Sequence, residues 1–372
     1  MGRRLVLVGG GHAHVEFIRR WADASVDDVE LVVCDANPRP VYSGMVPGVV
    51  AGQYRKQEVE IDLAAVCSRA GARFVREAVV DADAEARVIT SEGGERIDFD
   101  LASIDVGSTV VGLDAPGVRD FALASRPIGR LIAEIDDWIA RAAAQGAGVP
   151  LHVVGGGAAG VELAFCIDAR LAGSAKRDAS ASPAVEIVSS DEHVLTSAHP
   201  RVRDRVTRAL ARRGIGLRTG TRVVAVREDA VELDAGETLP SQGVVWVTGP
   251  AAHPLPAASK LPCDDRGFVR IRPTLEVEGH DHVFAVGDCA SLPGLAKAGV
   301  YAVRATPILD DNLRARLRGH ELRDYIPQRD FLSLLNLGNG TAIGTKWGVV
   351  YEGRAAMWLK DRIDRGFMER YR

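Results

Sequence analysis

Several things are scarce in this sequence, and each scarcity removes a class of protein. The five cysteines, Cys34, Cys67, Cys166, Cys263 and Cys289, are scattered, and no two lie within 25 residues of each other. There is no C-x-x-C pair and no zinc-type spacing, so free thiols in a reducing compartment are expected, with no metal site. Basic charge is not in excess: 46 Lys and Arg stand against 50 Asp and Glu, a net charge of -4. That balance speaks against a nucleic-acid partner, which would call for a basic face. No apolar run is long enough to span a bilayer. The opening Met1-Gly2-Arg3-Arg4 and Leu5–Val8 is too short for the apolar part of a signal peptide and is read as a buried strand. The location expected is cytoplasmic, or peripheral on the inner face of the membrane.

Glycine, by contrast, is abundant and patterned. The stretch "LVLVGGGHAHVEF" (Leu5 to Phe17) places an apolar strand, a glycine turn and a helical pattern in succession. A second copy, "LHVVGGGAAGVELAFCIDA", starts at Leu151. In the second, Gly155, Gly157 and Gly160 fit G-x-G-x-x-G in full; in the first, Gly9 and Gly11 fit and His14 stands at the third position. The first glycine of such a hinge allows the sharp bend. The second lets a diphosphate approach the backbone, and the third lets the helix pack on the strand. One such match is weak; two, each after an apolar strand, point to two dinucleotide sites. His14 is read either as packed beneath its loop or as reaching a cofactor oxygen. A metal pair with His12 is disfavoured, because residues two apart on a helix face different ways.

The acidic partner of the first hinge is Asp35, at the end of "VELVVCD", where a carboxylate can bind ribose hydroxyls. The matching strand of the second hinge, "AVEIVSSDE", ends in Ser189 and Ser190, followed by Asp191 and Glu192. Those two acids would repel a 2′-phosphate and lean the choice toward NADH, with NADPH left open. "AGSAKRDASASP" (Ala172 to Pro183) has the composition of a surface loop. "DLASIDVGSTV" and "GVVWVTGP" are two further strands with glycine turns. Ligands lie beyond the carboxyl ends of such strands, so Asp105 to Ser108 would close the first site and Val247 to Pro250 the second. "HVFAVGDCA" adds another strand, ending in Gly287-Asp288.

Taken in order, these motifs resemble the pyridine nucleotide-disulfide oxidoreductase superfamily, flavoproteins with two dinucleotide domains. The likeness covers nearly the whole chain. "VYSGMVPGVVAGQY", "KAGVYAVR" and "WLKDRIDRGFMERY" are also similar to the flavoprotein module that some bacteria fuse to selenide–water dikinase, and to type II NADH dehydrogenases. The resemblance implies an α/β fold with two Rossmann-like domains, the second inserted in the first. FAD would bind residues 1–112 and 253–318, and NAD(P)H residues 113–252. Residues 319–372 would form a small C-terminal element of strands and a helix covering one side of the flavin.

By the same resemblance, Gly9, Gly11, His12 and Ala13 meet the FAD diphosphate. Asp35 holds the adenosine ribose, Asp288 the ribityl chain, and Val80 and Gly107 line the site. Ser43, Met45 and Pro47, in the loop Pro40 to Gly48, border the isoalloxazine. Gly155, Gly157, Ala158 and Gly160 hold the nicotinamide dinucleotide, with Ser189, Ser190, Thr248 and Gly249 beside it. Two residues take catalytic roles: Glu162, near the nicotinamide, and Lys297, whose charge, with Ala298, would face the flavin's pyrimidine edge from a helix starting near Leu295. The alternative for Lys297 is an ordinary surface lysine.

The expected activity is hydride transfer from NAD(P)H to FAD and then to a small-molecule acceptor, a quinone foremost. A reductase of selenium or sulfur compounds and a non-catalytic redox sensor are the alternatives. A thiol–disulfide mechanism is disfavoured, since the needed cysteine pair is lacking, and Cys289 is read as a small buried hydrophobe. Type II dehydrogenases carry glutamines after the G-D motif; this chain has Lys297 and Arg304, which would also suit an anionic acceptor. In the tail, Ala356, Leu359, Ile363, Phe367 and Tyr371 form a helical stripe among basic residues. It would pack on the body, on a second copy in a homodimer, or on a membrane interface.

Overall fold

The computed structural model describes residues 2–145, 150–174, 184–328 and 330–372. Its centre is a pair of parallel sheets. The first has six strands in the order Glu276–Val277, His280–Ala285, Leu101–Ile104, Arg3–Val8, Val29–Cys34 and Arg73–Val75. All neighbours run parallel except the edge pair Glu276–Val277 and His280–Ala285. The second has five parallel strands in the order Gly216–Arg218, Val185–Val188, Leu151–Val154, Val244–Trp246 and Ala122–Ala124. Leu5 to Val8 and Leu151 to Val154 are buried throughout. Both faces of a parallel sheet are covered by helices, so its strands read as continuous apolar runs rather than alternating ones.

Register fixes where the site lies. Val8 pairs with Cys34 and with Ile104, and Ile104 pairs with Ala285. Gly9, Asp35, Asp105 and the Gly287–Asp288 turn therefore all leave the first sheet at one edge. In the second sheet Val154 pairs with Val188 and Trp246, and Trp246 with Ala124. Gly155, Ser189, Val247 and the Ser125–Arg126 segment leave that edge together. The chain passes from the first sheet to the second and back along Ser108–Val110 and Pro250–Ala252, which pair antiparallel.

Among the described residues there are also a short parallel pair, Val269–Arg270 with Ala290–Ser291, and three smaller antiparallel sheets, over residues 79–98, 223–240 and 333–353. The last is followed by the helix Arg354–Met368. Three expectations need correction. The segment Pro40 to Gly48 is not an open loop: Ser43–Met45 is a short 3-10 turn running into the helix Val46–Val50. Ala172–Ser174 finish the helix Ala158–Ser174 instead of opening a loop; residues 175–183 of that stretch lie outside the described residues. The helix expected from Leu295 begins at Gly299 and ends at Arg318.

The tail helix also buries a different face from the one its apolar spacing suggests. Ala356, Phe367 and Tyr371 are buried, but Ile363 is 45% exposed and Lys360 and Asp364 are inside. The two charges can be buried because they neutralise each other one turn apart, Nζ to Oδ2 at 2.8 Å. The ammonium also donates to the Gly44 carbonyl at 2.8 Å.

Candidate functional site

The first hinge is built on close backbone contact. Gly9 has φ +91°, and a Cβ there would fall 2.5 Å from the Asp105 carbonyl oxygen. A Cβ on Gly11 would fall 2.2 Å from Asp105 Cγ. Asp105 thus lies directly beneath the turn, and its Oδ2 accepts the N–H groups of Ala13 at 3.0 Å and His14 at 3.3 Å. These are first-turn donors of the helix His12–Asp23, left without partners inside the helix.

His14 lies under the loop, wholly buried. Burial lowers its pKa to about 4, against the opposing pull of the Gly9 carbonyl, so the ring is neutral at pH 7. Nδ1 is 2.6 Å from Gly9 O and Nε2 2.8 Å from Ser103 Oγ. A carbonyl only accepts, so Nδ1 carries the hydrogen and Nε2 accepts from the Ser103 hydroxyl. At the matching place in the second hinge, a Cβ on Gly160 would fall 2.0 Å from the Gly155 carbonyl. There the helix approaches the turn directly; in the first hinge an imidazole nitrogen bridges the same carbonyl.

Around the first hinge, Asp35 Oδ1 accepts from Asn37 N at 2.6 Å and Oδ2 from Gly10 N. Burial raises its pKa despite those two donors. Asp288 Oδ2 accepts from Arg126 Nη2 at 2.8 Å and from Ser108 Oγ at 3.4 Å. Arg126 also donates to the Ser108 carbonyl at 3.3 Å. The His12 ring stands edge-on to Tyr42, centroids 5.6 Å apart, and accepts from Ser43 N at 3.4 Å. Burial lowers its pKa to about 4, Asp288 opposing and Arg126 adding to the shift.

The other residues expected here are placed unevenly. A Cβ added to Gly107 would make only ordinary contact, with Arg126 Nη1 at 3.9 Å, and one on Gly299 would touch Ser43 Oγ at 3.7 Å. Met45 and Pro47 are buried in the core, Met45 at 1% exposure, which leaves Ser43 and the Gly44 backbone on the surface of that turn. Val80 is 49% exposed on the strand Val79–Asp83. Ala298 caps the helix Gly299–Arg318 in extended conformation. The Lys297 ammonium folds over the Phe268 ring, 4.0 Å from its centroid, and donates to the Ala290 carbonyl. Burial lowers its pKa. The Cys289 thiol is buried and pushed up to about 12 by desolvation, and all five cysteines are free.

At the second hinge, Gly155 has φ +129°, and a Cβ would fall 2.2 Å from the Val247 carbonyl. Gly157 and Gly249 face open space, with nothing within 4 Å of an added Cβ, and Ala158 and Ser190 are exposed beside them. Ser189 is buried and its Oγ accepts from Asp191 N at 3.3 Å. Thr248 Oγ1 donates to the Val111 carbonyl at 2.5 Å.

Glu162, on the helix after this hinge, accepts from Asn336 N at 2.8 Å. Burial raises its pKa, with the Lys360 ammonium pulling the other way. Burial alone would lower Lys360, but Glu162 and Asp364 together raise it. Tyr42 donates to the second oxygen of Asp364 at 3.2 Å and stacks on Phe367, centroids 4.4 Å apart. One buried charge network thus joins the second-hinge helix, the Ser43–Met45 turn and the tail helix.

Three parts of this arrangement go beyond the sequence motifs. Arg126 follows a strand too short to stand out. Asp105 caps a helix 92 positions away, counted to Ala13. Lys360 and Asp364 did carry a signal: an oppositely charged pair at helical spacing interrupting an apolar stripe.

Comparison with known proteins agrees with this geometry. The family described as pyridine nucleotide-disulphide oxidoreductase matches residues 3–302. A demethylphylloquinone reductase of Synechocystis is 25% identical over 374 residues, covering 95% of this chain and 89% of that protein. A type II NADH:quinone oxidoreductase of Staphylococcus saprophyticus is 22% identical over 387 residues, covering 97% and 94%. Among solved structures, the sulfide:quinone oxidoreductase of Aquifex aeolicus superposes with a TM-score of 0.86 at 15% identity. It covers all of this chain, and the match spans 92% of that one.

Proposed function

The chain belongs to the pyridine nucleotide-disulphide oxidoreductase family, and from that premise we propose that it is an FAD-containing NADH dehydrogenase that reduces a quinone. The observation that carries this reading is a glycine hinge at the carboxyl edge of each of two parallel sheets, with the Arg126–Asp288 ion pair joining the two edges. Two relatives named for NADH or quinone reduction, matched over almost their whole length, support it.

The residues fit the two cofactors. The first hinge, Asp35, Asp288, Gly107 and Ser43 would hold FAD, on residues 1–112 and 253–318. The second hinge, with its open faces at Gly157 and Gly249, would hold NADH on residues 113–252. Asp191 and Glu192 are both exposed beyond Ser190, which favours NADH over its phosphorylated form. When bound, FAD supplies the two-electron chemistry, taking a hydride from NADH and passing electrons to the acceptor.

The chain's own part is placement and charge. Arg126 and Ser108 fix the Asp288 carboxylate, so that this acceptor is aimed before any ligand arrives. Glu162, with its raised pKa, holds a proton more readily than an exposed glutamate. Lys360, kept charged between Glu162 and Asp364, holds a positive charge next to the Gly44 carbonyl. Reduction of a quinone consumes two protons, and this network of titratable groups lies beside the Ser43–Met45 turn. Lys297, folded onto Phe268, acts on the flavin only through its charge. Among the described residues no helix is long and apolar enough to cross a membrane. We assign membrane contact to exposed residues of the C-terminal element, Trp347, Val349, Trp358 and Ile363.

The deciding experiment is anaerobic. The purified protein should show the visible flavin band, lose it on adding NADH, and regain it on adding a short-chain quinone. Reoxidation by polysulfide or selenium compounds but not by quinone would replace this acceptor with the sulfur or selenium one. A bleached flavin that no acceptor reoxidises would indicate a sensor.

A further inference from the structure

Asp105 has surroundings that a carboxyl group rarely tolerates. It leaves the strand Leu101–Ile104 at the sheet's carboxyl edge and is 3% exposed. One oxygen accepts from Ala13 N at 3.0 Å and His14 N at 3.3 Å. Its carboxyl occupies the space a side chain on residue 11 would need, and a Cβ on Gly287 would fall 2.3 Å from Oδ1. A single side chain is therefore fitted against the hinge, the first helical turn and the Gly287–Asp288 turn, the three segments assigned above to FAD.

The charges around it are mostly of its own sign. Asp35 faces it from the strand Val29–Cys34 and Asp288 from the Gly287 turn, with the Cys289 thiol adjacent. His12 and His14, on the helix, are both held near pKa 4 by burial and are neutral at pH 7. The nearby cations are Arg126, already paired to Asp288, and Lys297, folded onto Phe268. Burial raises the Asp105 pKa to about 7; the His14 and Ala13 amides oppose this, and Asp288 and Asp35 add to it.

A helix N-terminus attracts a diphosphate through free N–H groups and partial positive charge. Here two of those donors are already taken by a carboxyl group. A diphosphate arriving at the same turn adds negative charge beside a buried acid, which favours the acid's neutral form. We propose that Asp105 is a positioning residue of the FAD site that takes up one proton when the diphosphate binds, so that FAD affinity is linked to pH. The inference rests on the assignment of the first hinge to FAD. Ionised apo-protein, FAD and one buffer acid give holo-protein with a neutral Asp105 and the buffer base: the acid's bond to hydrogen breaks and the Asp105 O–H bond forms. FAD then binds most tightly below the apo pKa, and its affinity falls tenfold per pH unit between the apo pKa and the higher holo pKa.

The test is calorimetric titration of apo-protein with FAD at about pH 8, in two buffers of different ionisation heat. The expected result is uptake approaching one proton per FAD, with the Kd rising about tenfold between pH 7.5 and 8.5. Asp105→Asn keeps an acceptor for the two amides and should bind FAD with little uptake and a flat pH profile. FAD binding to the parent protein without proton uptake, or unchanged uptake in the Asn variant, would overturn the proposal while leaving the flavoprotein reading intact. No FAD binding at any pH would overturn both.

Discussion

Arg126 and Asp288 meet across the two sheets, Nη2 to Oδ2 at 2.8 Å. Arg126 follows the last strand of the second sheet's row, Ala122–Ala124, and Asp288 lies in the turn after His280–Ala285 of the first. The pair is partly sheltered, the side chains 32% and 14% exposed. It joins the half of the molecule assigned to NADH to the carboxylate assigned to the flavin's ribityl chain.

Removing either partner should therefore loosen the flavin. Asp288→Ala deletes a charged acceptor, and a hydrogen bond to a charged group is worth about 1.5–3 kcal/mol. FAD retention, read from the ratio of flavin to protein absorbance, should fall at least about tenfold in affinity. Arg126→Ala should have a smaller effect. Unchanged flavin content in both variants would remove Asp288 from the site.

Gly160→Ala separates the two sites. Its Cβ would fall 2.0 Å from the Gly155 carbonyl, a clash with backbone that no rotamer relieves, at a cost of about 1–3 kcal/mol. The variant should keep its FAD and lose roughly tenfold or more in NADH affinity, measured by titrating flavin bleaching. Loss of FAD with NADH response retained would reverse the assignment of the hinges.

Lys360→Met leaves Glu162 and Asp364 buried without their cation. Breaking a buried pair in this way costs about 3–5 kcal/mol, so the melting temperature should drop sharply. Asp364→Asn in the same chain should recover part of it. In whatever folded variant remains, reoxidation of reduced flavin by quinone should slow more than reduction by NADH. Equal slowing of both half-reactions would make the network structural only.

Asp105 should make the stability of the apo-protein fall as pH rises from about 4 to 7, against the opposite slope from His12 and His14, which burial holds near 4 in the folded state. An unfolded Asp105 ionises near 3.8, whereas the folded one keeps its proton up to about 7. Between those values the folded state binds the extra proton, so the Asp105 contribution falls with rising pH and levels off above 7. Thermal melts of parent and Asp105→Asn apo-protein should differ by that slope, the variant gaining stability relative to the parent as pH rises from about 4 to 7.

The C-terminal element should bind anionic vesicles. Trp347 is 77% and Trp358 62% exposed, with Lys346 and Arg362 lying over their rings. Replacing either tryptophan by alanine should weaken sedimentation with the vesicles by about 1 kcal/mol, roughly fivefold. Binding that is unaffected by the double replacement would move the contact elsewhere.

The sequence alone determined the architecture's grammar. Short apolar runs such as Leu5–Val8, each followed by a glycine hinge, read as strands buried on both faces that open a strand–turn–helix unit. Their repetition at Leu151 dictates two units, and the motif order is enough to resemble a flavoprotein family. These features are local, set by side-chain size and backbone freedom within a dozen residues.

What only the tertiary structure decided depends on residues distant in the chain. Nothing near His14 tells that its ring would replace a glycine by bonding Gly9 and Ser103. Nothing near Lys360 tells that Glu162, on another helix, would help to keep it charged in the interior. Asp105 looks like a strand-end residue in the sequence; strand register carries it beneath Gly11, where it becomes a helix cap. Burial and partner charges are properties of the packed molecule, and they decide which polar residues can be functional.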